Sequence, residues 1–308
     1  MPRQMPPNKK GAILIVSLWI LAILSVFAII LGHRLSAQLK LLHRNMDGIK
    51  ALYIAGAGIE RAVAERLKPL QKGEPIYADS FNQPWLNSSP IFKAAQFGEG
   101  SYTVLNDEEA GLFGMQDEQA KININTASPD VLKKLLMQLL EDNEEVASSI
   151  STAIIAWRTD ADKVKFDAIE EILLADDRIK DIFPAMRNYI RVYGPQEINI
   201  NTASEIVLKT TVLTPEQIKY ITNTRKWSTD GSQAGVWFIN EASIPTTVNI
   251  DNIATDESGL GAVPGICVKS SVFKINSSAK VRNVTRNIEA IVEFLPDGDY
   301  KFLYWNQR

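Results

Sequence analysis

Residues 12–31 read AILIVSLWILAILSVFAIIL, twenty positions without one charged side chain. Wound as an α-helix they span roughly 30 Å, the thickness of a bilayer's hydrocarbon core. Ser17 and Ser25 are tolerable there because a hydroxyl can bond back to a helix carbonyl. A cleaved secretory signal has a shorter apolar stretch followed by small residues. Here Gly32-His33-Arg34 follows, so the segment reads as a transmembrane helix. The eleven residues ahead of it carry Arg3, Lys9 and Lys10 and no acid. With a formal charge of −3 overall, the remaining 297 residues sum to −6. Nucleic-acid binding driven by net charge is thereby disfavoured. Arg34, Lys40 and Arg44 beyond the span balance the basic leader, so charge alone does not orient the helix.

The helical pattern continues past the span. Leu35, Leu39, Leu42, Met46, Ile49 and Tyr53 recur in steps of four and three, an apolar seam suited to a partner helix. Ile59, Ala62, Val63 and Leu67 continue the apolar positions, and Pro69 predicts the stop. One helix over 12–68 would be roughly 85 Å long, its first half needing lipid and its second a protein surface. Gly56-Ala57-Gly58 superficially suggests a dinucleotide loop, but no strand precedes it and the third glycine is missing. Close contact through small residues is the better account.

Leader and helix together resemble type IV pilin-like proteins, whose short basic leader ends in glycine and is cut by a prepilin peptidase before an apolar helix. Lys9-Lys10-Gly11 followed by Ala12-Ile13-Leu14 fits that junction. The resemblance implies cleavage between Gly11 and Ala12 and a globular part outside the cytoplasmic membrane. Most pilins carry glutamate at mature position five, where it pairs with a neighbouring subunit's N-terminal amine. Counting from Ala12, that position is Val16. A carboxylate in lipid is costly unless paired, so a subunit with no neighbour above it gains nothing from the acid.

Residues 121–132 (KININTASPDVL) and 197–208 (EININTASEIVL) match at nine of twelve positions, at an offset of 76. Each predicts a short extended segment turning into a helix. Ser128 is the N-cap, Pro129 the first helical residue and Asp130 an acid at the positive end of the dipole. Ser204 and Glu205 take similar places in the second copy. Glu144 to Trp157 and Asp167 to Leu174 read as amphipathic helices, so 121–266 is a mostly helical module with an internal duplication. The string resembles helix-hairpin-helix modules, some of which bind DNA backbones through glycine-rich hairpins. Here Glu141, Asp142, Glu144 and Glu145 stand where glycines would be needed, and the second copy also lacks glycine. A scaffold role is favoured over DNA binding.

Strand signals occupy GSYTVL (100–105), Ser271 to Ile275, Asn287 to Leu295 and Tyr300 to Trp305, with Pro296-Asp297-Gly298-Asp299 as a turn. Strand residues on both sides of the helical block predict one sheet interrupted by an insertion. The fold class is α+β, with a long N-terminal helix packed on an antiparallel sheet and a large duplicated helical insertion. The expected divisions are leader 1–11, helix 12–68, first sheet part 69–120, insertion 121–266 and second sheet part 267–308.

Leader, Val16, repeat and insertion together resemble the minor pseudopilin K family of the type II secretion system. That resemblance covers nearly the whole chain. It implies a subunit tethered to the inner membrane of a Gram-negative bacterium, with its globular part in the periplasm at the tip of a short pseudopilus. It further implies a complex with minor pseudopilins I and J, made through helices and adjoining sheet edges, that nucleates assembly and acts on secreted cargo or the outer-membrane channel. A minor pilin of a related type IV filament and a membrane-anchored DNA receptor are the alternatives.

No enzyme is expected. The two histidines, His33 and His43, lie on the membrane-proximal helix, far from Cys267. No phosphate loop, HExxH or zinc spacing occurs. Cys267 reads as a buried small apolar residue, and Asp176-Asp177 as solvated surface. One loop, Asn249 to Gly259, gathers oxygen donors. A solvated acidic loop is the ordinary reading; Ca²⁺ shared by Asp251, Asp256 and Glu257 is the alternative, and calcium binders occur among pseudopilins.

Overall fold

The computed structural model describes residues 9–107, 111–160, 165–225, 254–255, 261–262 and 265–308. Helix α1 (Lys9–Gln71) runs for 63 residues, about 94 Å at 1.5 Å per residue. It passes the proline expected to end it. Pro69 lies in the last turn, where its missing N–H costs one bond near the helix end instead of breaking the interior. The carbonyl of Pro69 then takes the amides of Lys72 and Glu74, and Gly73 turns the chain at φ +75°.

Beyond α1 come α2 (Ser89–Phe92), β1 (Ala95–Phe97), β2 (Gly100–Asp107), β3 (Leu112–Phe113) and β4 (Gln116–Asp117). The sheet is completed by the C-terminal strands β11 (Val272–Val281), β12 (Val284–Phe294) and β13 (Tyr300–Gln307). Its order is β1-β2-β11-β12-β13, with β3 beside β2 and β4 beside β11. All its pairings are antiparallel. Strands β2 and β11 are neighbours, Tyr102 opposite Ala279, although the helical segment separates them in sequence. The helical segment is thus an insertion between two adjacent strands. Strand β11 runs on through the polar stretch Asn276-Ser277-Ser278, which carries no β signal of its own, and turns at Arg282-Asn283 into β12.

Two apolar cores result. In the first, Ala51, Ile54, Ala55, Ile59, Ala62 and Val63 of α1 lie on Val104, Phe273, Ile275, Ile288, Ala290 and Val292 of the sheet. Gly58 permits this approach, because a Cβ there would stand 2.4 Å from Ser277 Oγ and 3.0 Å from the Tyr102 ring. That accounts for the small residues of the 56–58 stretch.

The second core belongs to the insertion. It is built from β5 (Ile122–Asn123), α3 (Pro129–Leu139), α4 (Glu144–Thr159), α5 (Ile179–Met186), β6 (Ile190–Arg191), β7 (Ile198–Asn199), α6 (Glu205–Leu208) and α7 (Pro215–Thr224). Two further pieces, β8 (Ala254–Thr255) and β9 (Gly261–Ala262), pair with each other, and β10 (Ile266–Cys267) follows. Ser128 and Ser204 cap α3 and α6 as expected, accepting from the amides of Val131 and Val207. Instead of an amphipathic α-helix over Asp167 to Leu174, Ile169–Leu174 forms a 3-10 helix.

The duplication extends further than the matched twelve residues. Strand β5 pairs in parallel with β6, Ile122 opposite Ile190; β7 pairs in parallel with β10, Ile198 opposite Ile266. Opening and closing strands therefore both repeat at the offset of 76. Within each unit the first asparagine, Asn123 or Asn199, accepts at Oδ1 from the amide two residues on, at 2.9 Å in both copies. Arg158 donates to the carbonyls of Ile124 and Ala127. Arg225 donates to the equivalent carbonyls of Ile200 and Ala203.

Candidate assembly surface and the polar junction behind it

The residues singled out by sequence fall in three places. Gly11 and Ala12 lie within α1. Val16 is exposed on the same helix, in a stretch from Leu14 that is long and apolar enough to cross a membrane. Asp251, Asp256 and Glu257 lie outside the described residues. Among the described residues, no group of three or more His, Cys, Asp or Glu could hold a metal ion.

The seam residues Leu35, Leu39, Leu42, Met46, Ile49 and Tyr53 are all exposed, Tyr53 to 77%. At about 100° per residue, they centre roughly 180° around α1 from the buried positions 51, 54, 55, 58, 59 and 62. The seam therefore does not continue into Ile59, Ala62 and Val63, as the sequence pattern suggested. The step from Tyr53 to Ile59 changes phase, and those residues cover the chain's own sheet. Helix α1 thus carries two apolar faces, one satisfied internally and one open.

Polar contacts fix the helix on its sheet. Buried Asp47 accepts from Arg282 at 3.1 and 3.2 Å, at the β11–β12 turn. Lys50 pairs with Glu99 at 2.7 Å beside β1. Higher up, Arg66 is buried against the rings of Trp85, Phe273 and Phe294 and donates to Asp79 Oδ2 at 3.0 Å. Asp79 also accepts from Trp85 Nε1 and the Ser270 amide, both at 2.9 Å.

Asp117, at the end of β4, sits behind this pair. Its Oδ2 accepts from Asn199 Nδ2 (2.9 Å), Thr202 Oγ1 (2.6 Å) and Ser270 Oγ (2.7 Å), and Oδ1 from the Gln119 amide (2.8 Å). Asn199 Nδ2 also reaches the carbonyl of Asp79 at 3.0 Å. The network ties α1 and the sheet to the second repeat. Burial pushes the Asp117 carboxyl up to about 6, against the donors from Thr202 and Ser270 that hold it down. Burial also raises Asp79, with Arg66 opposing it, and lowers Arg66 from the usual guanidinium range, with Asp79 opposing. Sequence reasoning missed this junction. The signal available was the second asparagine string itself, whose Asn199 and Thr202 serve it.

Cys267 is half-buried, and its Sγ takes a hydrogen bond from Gln119 Nε2 at 3.4 Å. It is therefore not the fully buried apolar residue expected. Glu141 and Asp142 occupy the left-handed region at φ +51° and +64°, so the hairpin between α3 and α4 is made without glycine. The amides of Asp142 and Asn143 bond the carbonyls of Met137 and Leu140. In the second hairpin, those of Thr210 and Thr211 bond Val207 and Leu208. These tip amides are occupied internally.

Comparison with known proteins finds a likeness of structure. No protein-family model and no curated protein sequence matches the chain. A solved structure does: a chain in the crystal structure of the GspK-GspI-GspJ complex from the enterotoxigenic Escherichia coli type 2 secretion system. The superposition has a TM-score of 0.59 at 15% identity and covers 89% of this chain and 99% of that one. The two chains share a fold. The α+β pilin-like architecture expected from the sequence, with its long apolar N-terminal helix and antiparallel sheet, is the architecture found.

Proposed function

We propose that this chain is a non-enzymatic minor pseudopilin, anchored by its N-terminal helix and seated at the tip of a type II secretion pseudopilus. The observation that carries the reading is the open seam at Leu35 to Tyr53. It begins just beyond an apolar span and faces away from the chain's own sheet. Such a face on a membrane helix suits another helix rising from the same bilayer. The shared fold with a chain of a three-pseudopilin complex supports pseudopilins I and J as those partners. A minor pilin of a related type IV filament would use the same surface, and partner identity distinguishes the two. What favours a protein partner over nucleic acid is the internal bonding of the hairpin amides, beside the exposed acids Glu141, Asp142, Glu144 and Glu145.

In this reading the leader is removed by a prepilin peptidase between Gly11 and Ala12, and the globular part lies in the periplasm of a Gram-negative cell. Val16 at mature position five suits a subunit with none above it, and the insertion suits a tip because it leaves little room for a successor. Support for export of folded cargo follows from that position. Gly11→Val should block processing; recovery of mature protein beginning at Ala12 from that variant would defeat the pilin-like assignment. Ca²⁺ at Asp251, Asp256 and Glu257 is the part supported by residue chemistry alone. If it binds, chelator lowers the melting temperature of the full chain, and an unchanged melting curve counts against it.

A further inference from the structure

The two flanks of α1 differ in chemistry, and the difference selects where a partner's globular part sits. On the β1 side the helix presents charge. Lys50 bridges Glu99 at the β1–β2 turn with both side chains exposed, and exposed Arg61 bridges the buried Glu65 one turn on at 2.6 Å. Strand β1 is only three residues long. On the β13 side the helix presents Gly56, next to Ile288, and then Glu60, whose carboxylate accepts from the Tyr300 hydroxyl at 3.4 Å.

From that point a ladder of rings leaves the core along β13. Phe294 touches Tyr300 (6.3 Å between centroids), Tyr300 touches Phe302 (5.6 Å) and Phe302 touches Trp305 (5.1 Å). Phe294 is buried, whereas Phe302 and Trp305 are 36% and 40% exposed. Strand β13 ends the sheet order, so no described strand lies beyond it. On the helix surface, Ile49 leans to the same side as Gly56 and Glu60, and these three with Tyr53 fall within about 60° at 100° per residue. Seam and ladder are thus continuous.

Building on the proposed function, we infer that the partner meeting the α1 seam places its globular part on the Tyr300-Phe302-Trp305 ladder, and not on the β1 flank. The occupant is a second membrane-anchored chain with a parallel helix. The seam starts four residues past the apolar span and rises about 27 Å over 35–53, so covering its whole length requires a helix that also leaves the bilayer. A rigid helix set on Ile49 and Tyr53 carries its globular part up the same flank. There three linked rings offer one continuous apolar contact, while the β1 flank offers a single exposed ring, Phe97, beside the solvated Lys50–Glu99 pair, which would lose its water.

The test uses the full chain in membranes, co-expressed with pseudopilins I and J of the same organism. Tyr53, Trp305 and Phe97, the last on β1, are replaced one at a time by photoreactive p-benzoylphenylalanine. Adducts from positions 53 and 305 but not 97 are expected. Phe302→Glu should lower co-purified partner about tenfold, as a charge buried unpaired in a contact does, while Phe97→Glu leaves it unchanged. Adducts at 53 with 97 in place of 305, or at 53 alone, would overturn the inference and leave the pseudopilin reading standing. No adduct at 53 would overturn both.

Discussion

Asp117 shows how one side chain can set the pH response of the junction. Its carboxyl has an ordinary value of 3.8 and is pushed up to about 6 in the fold. A raised folded value means the native state holds a proton that the unfolded chain releases. Stability from this group is therefore present below 3.8 and declines as pH rises through about 6. Asp79 shifts in the same direction. The carboxylates held low, at Glu99, Glu144, Asp176 and Glu205, act oppositely and only under more acidic conditions. Between pH 5 and 7, about one unit either side of 6, unfolding should become easier as pH rises, by on the order of 1 kcal/mol. Asp117→Asn should flatten that slope. Denaturant titrations of both proteins at several pH values check this, and an unchanged slope in the variant would remove Asp117 as its origin.

At the scale of elements, most of what the sequence announced is what its local chemistry could fix. The caps at Ser128 and Ser204 and the β-branched strands were legible because each depends on a few consecutive residues. The phase of α1 was harder to read. A run of apolar positions shows that a helix is amphipathic, but not which stripe meets which partner, and the break between Tyr53 and Ile59 needs the sheet to expose it. The closing strands Ile190–Arg191 and Ile266–Cys267 are hidden in the sequence because two residues carry too little pattern, although their offset equals that of the opening strings. Arg158 and Arg225 are offset by only 67 positions, so register alone hid their shared role. The helix–sheet contact makes its own prediction. Gly58→Val would place a branched side chain where a Cβ already meets Ser277 and Tyr102. Overpacking of this kind costs about 1–3 kcal/mol, so the full chain should melt several degrees lower. The equivalent change at Gly32, which meets nothing within 4 Å, should leave the melting temperature unaltered.

The whole molecule is a pilin-like body with a second core inserted between two adjacent strands and joined to the first through Arg66, Asp79, Asn199, Ser270 and Asp117. That join explains why an insertion with its own core does not need its own anchor. One long helix carries a stretch long and apolar enough to cross a membrane, exposes a seam and then buries its other face on the sheet. The central claim is that the open seam is an assembly surface. The decisive measurement is light scattering on a sizing column of the detergent-solubilised full chain with pseudopilins I and J, beside its Met46→Asp variant. The account predicts a 1:1:1 complex with the natural chain. In the variant, association should be weaker by a few kcal/mol, on the order expected for an unpaired carboxylate in the seam. A chain that stays monomeric with both partners, or a complex indifferent to Met46→Asp, would contradict it.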